Sequence, residues 1–232
     1  MYDVMVIGGG VIGGAVLREL SKYRLKVCLV ERESDVAMGA SKANSGIVHA
    51  GFDAAEGSLK AKFNVSGNEM MEEYAEELGV KFSRIGSLVL AFSEEDERTL
   101  QTLRARGEKN GVKGLRVIGQ SQLREMEPNV SRAAIGALYA PTGGIVCPYE
   151  LTIAAIGNAM DNGAELYTDF DVTKIERGDG TFTVFDAEGR ALRAKLLINC
   201  AGLGAEKIAR LCGDTSIHIG ARRGEYILLD KE

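Results

Sequence analysis

The chain has 232 residues, with 33 acidic against 28 basic side chains and a net charge of −5. That length buries a substantial core, as one large domain or two small ones, and the mild acidity argues against nonspecific nucleic-acid binding or a polybasic membrane patch. Four scattered cysteines (Cys28, Cys147, Cys200, Cys212) and two histidines form no C-x-x-C pair, which excludes a zinc framework and points to a reducing, cytoplasmic setting without disulfides.

Residues 2–7 are a β-rich apolar run that leads into Gly8, Gly10 and Gly13, spaced G-x-G-x-x-G. This N-terminal run is too short to span a membrane, and it lacks a basic leader and a cleavage site. Helical spacing of Val11, Ile12, Ala15, Val16 and Leu20 predicts a helix over 11–23, and 26–30 reads as a second buried strand closed by Glu31. Strand, glycines, helix, strand and an acid about twenty residues on make a dinucleotide fingerprint. In it Gly8 turns the chain, Gly10 admits a pyrophosphate, Gly13 lets helix and strand pack, and Glu31 accepts from an adenosine ribose. Glu31 speaks against a 2′-phosphate, and the neighbouring Arg32 weakens that argument. A plain glycine-rich turn without ligand is the competing reading of the motif alone.

The Gly-, Ser- and Asn-rich stretch 34–52 reads as a long functional loop. Leu59, Phe63, Met70, Tyr74 and Leu78 recur along one face of an amphipathic helix over 58–78, stopped by Gly79. Strand, turn (84–86) and strand are expected over 81–92, and a helix with a solvated charged face over 94–109. A short helix over 120–126 ends at Pro128, and a strand over 135–139 precedes a turn at 141–144. A helix over 148–162 begins with Pro148. Three β runs follow over 165–177, 181–187 and 191–199, the last two as a hairpin or meander, and then a helix over 205–212. Parallel βαβ early and antiparallel meanders late predict an α/β chain of two interleaved domains.

Six motifs carry a resemblance that covers nearly the whole chain. They are the glycines with Glu31, GASKANSGIVHAG at 39–51, GSLKAK at 57–62, TGGIVCPY at 142–149 with LINCAG at 197–202, and RGEY at 223–226. With them the chain resembles the D-amino-acid-oxidase-like superfamily of FAD-dependent oxidoreductases. It is most similar to the anaerobic-type glycerol-3-phosphate dehydrogenases and the L-2-hydroxyglutarate dehydrogenases and oxidases. The resemblance implies a Rossmann-type FAD-binding domain (1–84 and 144–212) interleaved with a mixed-sheet substrate domain (85–143, resuming at 213–232). It also implies that the chain ends inside the substrate domain, as a fragment.

Position by position, the resemblance implies FAD held by Gly8, Gly10, Gly13, Glu31 and Arg32. Ser41, Asn44, Ser45 and Gly46 run along the flavin and ribityl chain. Val172, in the first strand after the 148–162 helix, meets the adenine through its backbone, and Ala201 and Gly202 pass close to the cofactor. His49 falls on the substrate side, either as the general base for a substrate hydroxyl or as a residue that orients the flavin. Arg223, with Tyr226, is an expected clamp for a small anionic substrate, and an ordinary charge pair at a strand start is the alternative. Cys147 stands where many members carry Asp, and Glu150 where many carry Arg. The expected reaction is oxidation of an anionic secondary alcohol, glycerol 3-phosphate first and L-2-hydroxyglutarate second, with amine oxidation a further possibility. A flavin-free nucleotide-binding fragment or partner subunit is the non-enzymatic alternative. A second copy or a partner subunit, through which the chain associates with a membrane, is compatible with the sequence, and the electron acceptor is left open.

Overall fold

A computed structural model describes residues 1–227. In chain order the elements are β1 (Tyr2–Ile7), α1 (Val11–Ser21), β2 (Val27–Val30), β3 (Ile47–Val48), α2 (Leu59–Glu77), β4 (Phe82–Ser83), β5 (Ser87–Ala91) and α3 (Glu94–Lys109). They continue with β6 (Arg116–Gly119), α4 (Gln120–Met126), β7 (Gly136–Ala140), β8 (Gly144–Val146), α5 (Pro148–Asp161), β9 (Glu165–Tyr167), β10 (Val172–Gly178), β11 (Thr181–Asp186), β12 (Ala191–Asn199) and α6 (Ala205–Leu211). No described helix is long and apolar enough to cross a membrane.

Two compact units result, one from residues 1–45 with 148 onward and the other from 46–147. The expected division at 84 and 143 therefore moves to 45 and 147. The physical cause is a small antiparallel sheet, β3-β8-β4, that ties 47–48 and 82–83 to 144–146 and carries α2 with it.

The first unit is a six-stranded sheet ordered β10-β11-β12-β1-β2-β9, parallel across β12, β1, β2 and β9 and antiparallel in the β10-β11-β12 meander. Alternation along β1 sends Val4 and Val6 to a core shared with Leu17 of α1 and Ile156 of α5. Met5 and Ile7 enter the opposite core with Phe170, Val172 and Ile208. Gly14 sets the distance between α1 and α5, because a Cβ there would lie 3.1 Å from Ile156 Cγ1.

Expected and observed strands differ at 165–177, which is two strands on opposite edges of the sheet. Asp169 adopts a left-handed φ of 52°, and the N–H groups of Asp169 and Phe170 donate to the carbonyls of Glu33 and Glu31. The chain thus crosses the ends of the strands, so Val172 opens the second strand after α5, not the first.

In the second unit, β7 is the centre of the antiparallel sheet β5-β7-β6, backed by Leu100 of α3. The strands β3, β6 and β8 fall in stretches with no strand expectation. Helix α2 forms as expected, with Ser58 Oγ accepting from Ala61 N at 3.1 Å as its cap, yet it is buried along a different face. Ala61, Asn68 and Ala75 are buried, while Leu59, Phe63 and Met70 are 61–70% exposed. The buried positions recur at seven-residue spacing, along one face of the helix.

Candidate functional site

A cavity of about 560 Å³ opens in the first unit beyond the carboxyl ends of β1 and β2. That is the position at which open α/β sheets bind ligands. Its floor is the turn from β1 into α1. Gly8 has φ +110°, and a Cβ there would meet the Cys200 carbonyl oxygen at 2.5 Å. Gly13 does not line the cavity; it lies beneath, where a Cβ would be 1.9 Å from the Gly8 carbonyl oxygen. Gly10 differs from both. It is the extended N-cap of α1, and a Cβ there would meet only Ser41 Oγ, at 3.2 Å. The side-chain-free surface of Gly10 faces the cavity, beside the N–H groups and positive dipole end of α1.

Glu31 lies on the wall with its carboxylate fixed. Oε2 accepts from Gly9 N at 2.6 Å and Oε1 from Glu33 N at 3.0 Å. Each carboxylate oxygen has two lone pairs, so acceptor capacity remains for the hydroxyls of a ligand. Arg32 lines the cavity and turns its guanidinium to Glu33, Nε to Oε1 at 2.9 Å. Ser41 Oγ accepts from Val11 N at 2.9 Å, which puts this hydroxyl at the start of α1. Asn44 donates to the carbonyls of Ala40 and Ser41 and also lines the cavity. Val172, Ala201 and Gly202 complete the expected set on the wall. The residues fit FAD: a cradle a single Cβ would fill, an anchored carboxylate, a helix N-terminus and apolar walls.

Phe170 was not expected here. Buried to 2% exposure, it lines the cavity beside Val172 and hydrogen-bonds the Glu31 carbonyl through its N–H. The polar Thr168-Asp169 pair inside an otherwise β-type run is the signal that marks the break.

Other expected residues lie elsewhere. Ser45 is exposed and does not line the cavity. Gly46, with φ +66°, and His49 belong to the second unit. His49 is exposed just past β3, and its carbonyl accepts from Asn64 and Asn68. Arg223 and Tyr226 are exposed in an extended stretch without strand, where Arg223 faces Glu225 at 3.5 Å. His218 is likewise exposed and sits 3.6 Å from Glu206. The terminal residues 228–232 lie outside the described residues.

Comparison with known proteins gives the same picture. A family model for FAD dependent oxidoreductases (DAO) matches residues 3–232. Glycerol 3-phosphate dehydrogenase of Caloramator mitchellensis is 46% identical over 231 residues, covering 100% of this chain and 48% of that protein. The mitochondrial L-2-hydroxyglutarate dehydrogenase of Caenorhabditis elegans is 35% identical, again over 100% of this chain and 54% of its own length. The structure of dithionite-reduced L-α-glycerophosphate oxidase from Mycoplasma pneumoniae with FAD bound superposes with a TM-score of 0.86 at 31% identity. That match covers 90% of this chain and 56% of that one. The chain spans about half the length of the curated relatives it matches. With glycine turn, acid, cavity and family model in agreement, the chain belongs to the DAO family of FAD-dependent oxidoreductases.

Proposed function

We propose that this chain supplies the FAD-binding domain and the start of the substrate domain of an enzyme that oxidises glycerol 3-phosphate. The observation that carries the reading is similarity along its entire length to a glycerol 3-phosphate dehydrogenase. FAD, when bound, supplies the acceptor for the hydride of a secondary alcohol.

The chain's own residues have distinct roles in this reading. Gly8 and Gly10 with the start of α1 hold the pyrophosphate, Glu31 holds the adenosine ribose, and Val172 meets the adenine through its backbone. The unit of residues 46–147 contributes His49, whose imidazole takes the proton of the substrate hydroxyl. An imidazole suits this step because it exchanges protons near neutral pH. Arg223, with Tyr226, clamps the anionic group of the substrate. L-2-hydroxyglutarate is the second reading, favoured by the full-chain similarity to the Caenorhabditis enzyme.

The test is anaerobic addition of each substrate to the purified yellow protein. Bleaching by glycerol 3-phosphate alone establishes the first reading, and bleaching by L-2-hydroxyglutarate alone replaces it with the second. A protein that binds FAD and responds to neither refutes both. His49→Ala should retain FAD and lose turnover; full turnover in that variant removes His49 from the chemistry.

A further inference from the structure

The His49 side chain is exposed and makes no hydrogen bond among the described residues, so what the fold fixes at this position is its backbone. That backbone is held from one side by α2. Asn64 Nδ2 donates to the His49 carbonyl at 3.0 Å, and Asn68 Nδ2 donates to the same oxygen at 3.1 Å. The two asparagines are four residues apart, hence neighbours on one helix face, and together they engage both lone pairs of that oxygen. Two residues on, Gly51 (φ +103°) brings the chain so near α2 that a Cβ would lie 2.8 Å from Val65 Cγ2.

Both N–H groups of the Asn68 carboxamide and its oxygen are engaged. The residue is 4% exposed. Besides His49, its Nδ2 serves the Thr142 carbonyl at 2.9 Å, while Oδ1 accepts from Arg84 at 3.0 Å. Arg84 also donates to the Thr142 carbonyl at 2.6 Å, ion-pairs with Glu72 at 3.5 Å, and lies 5.1 Å over the Phe82 ring. A flipped amide would set its oxygen against two carbonyls and its NH₂ against a guanidinium, so one orientation is enforced. Asparagine is a poor choice for the buried interior of a helix unless its polar groups are needed. Here they join the end of β3 to the turn before β8.

We propose that Asn64 and Asn68 are positioning residues that clamp the His49 backbone and so aim its imidazole, with Arg84 holding the Asn68 amide in its donating orientation. The proposal rests on His49 acting in the reaction, as read above.

The test uses the FAD-loaded full-length protein. Asn68→Asp keeps the shape and can still accept from Arg84, but it offers neither carbonyl an N–H. Its kcat with glycerol 3-phosphate should fall roughly 10- to 100-fold, the scale of a misplaced catalytic group. KM should stay within about twofold and FAD content should equal the parent's, while amide exchange over residues 47–51 accelerates. In a His49→Ala background the same substitution should cost nothing further, because it acts through the missing imidazole. Parental kcat in Asn68→Asp beside an impaired His49→Ala overturns the clamp and leaves the His49 reading standing. Losses that multiply in the double variant also overturn it, by assigning Asn68 to general folding. Parental kcat in His49→Ala overturns the His49 reading itself, and the clamp with it. Should Asn68→Asp not fold, the half-buried Asn64→Ala decides. A several-fold kcat loss that vanishes in the His49→Ala background supports the clamp, and parental kcat refutes it.

Discussion

Gly13→Ala and Gly10→Ala separate two jobs that the glycine turn performs at once. A Cβ on Gly13 falls 1.9 Å from the Gly8 carbonyl oxygen, where ordinary contact begins at 3.4 Å. About 1.5 Å must therefore open between two backbone segments in a close-packed interior. Gly8 cannot yield, since its own missing Cβ already marks a 2.5 Å approach to the Cys200 carbonyl oxygen. Overpacking of this kind costs about 3 kcal/mol, offset by roughly 0.5–1 kcal/mol from alanine's better helix propensity. The net of about 2 kcal/mol corresponds to a fall of roughly 4–8 °C in the melting temperature of a chain this size. Gly10 has φ −81° and ψ 180°, open to any residue, and its Cβ would meet one serine hydroxyl and no backbone. Gly10→Ala should thus melt within about 1 °C of the parent while losing at least tenfold in FAD affinity, about 1.4 kcal/mol. Melts of the FAD-free protein and titration with FAD by flavin fluorescence measure both. A Gly13→Ala protein with the parental melting temperature refutes the packing argument. Parental FAD affinity in Gly10→Ala removes the phosphate from this turn.

Three further outcomes follow from the geometry. Glu31→Gln keeps one acceptor oxygen but turns an NH₂ toward either Gly9 N or Glu33 N, so the Kd for FAD should rise roughly 10- to 100-fold, and an unchanged Kd contradicts the ribose role. Burial alone would raise the Asp186 carboxyl, but the Arg190 guanidinium and the N–H groups of Arg190 and Glu188 outweigh it and hold that group below the usual aspartate value. A depressed folded-state pKa gives stability that is present above the unfolded value of about 3.9 and lost as pH falls through the folded one. Asp186→Asn should therefore flatten the acid limb of melting temperature against pH, and an unaltered limb would show that Asp186 does not contribute. Cys28, whose thiol is pushed up to about 12 by burial and then by the Glu165 carboxylate, should resist alkylation at pH 8 in the folded protein while the exposed Cys147 reacts. Equal labelling of the two would refute the buried placement.

What the sequence disclosed depended on how local each signal is. The β1–α1–β2 unit was legible because its signals, the glycine spacing and the acid after β2, lie within thirty residues of one another, although Gly8 also abuts the distant Cys200 carbonyl. Helices α3 and α4 fall on the expected residues, α3 with Ser93 as its cap and α4 stopping short of Pro128. The run 165–177 was misjudged because composition reports β character and not partnership. Only the crossing over the strand ends, with Asp169 at positive φ and Phe170 bonded to Glu31, splits it and builds part of the cavity wall. Strands β3 and β8 are two and three residues long, too short for any alternation to show. The burial of α2 was misread for a related reason. Leu59, Phe63 and Met70 dominate a hydropathy pattern, yet the helix packs through Ala61, Asn68 and Ala75, whose value is that they are small or hydrogen-bonding.

The position of the second unit in the chain follows from the sheet order. Strand β9 lies directly beside β2 and runs parallel to it, so a crossover must connect them, and α5, packed on α1, is the helix of that crossover. Residues 46–147 are an insertion into its first loop, which leaves from the carboxyl end of β2. Loops at that end of a parallel sheet are the ones that hold ligands. The two junctions reflect this, since Asn44, just before the insertion, and Pro148, just after it, both line the cavity. A division of the chain by motif alone assigns 46–84 to the nucleotide-binding part because the loop motif at 39–51 runs on into it. The sheet β3-β8-β4 shows instead that the motif is cut at Ser45, its first half building the cavity wall and its second half entering a separately packed unit. A single loop sequence therefore serves two bodies. That is why Ser41 and Asn44 are fixed by the start of α1 and by their own turn, whereas His49 is fixed by the asparagines of α2.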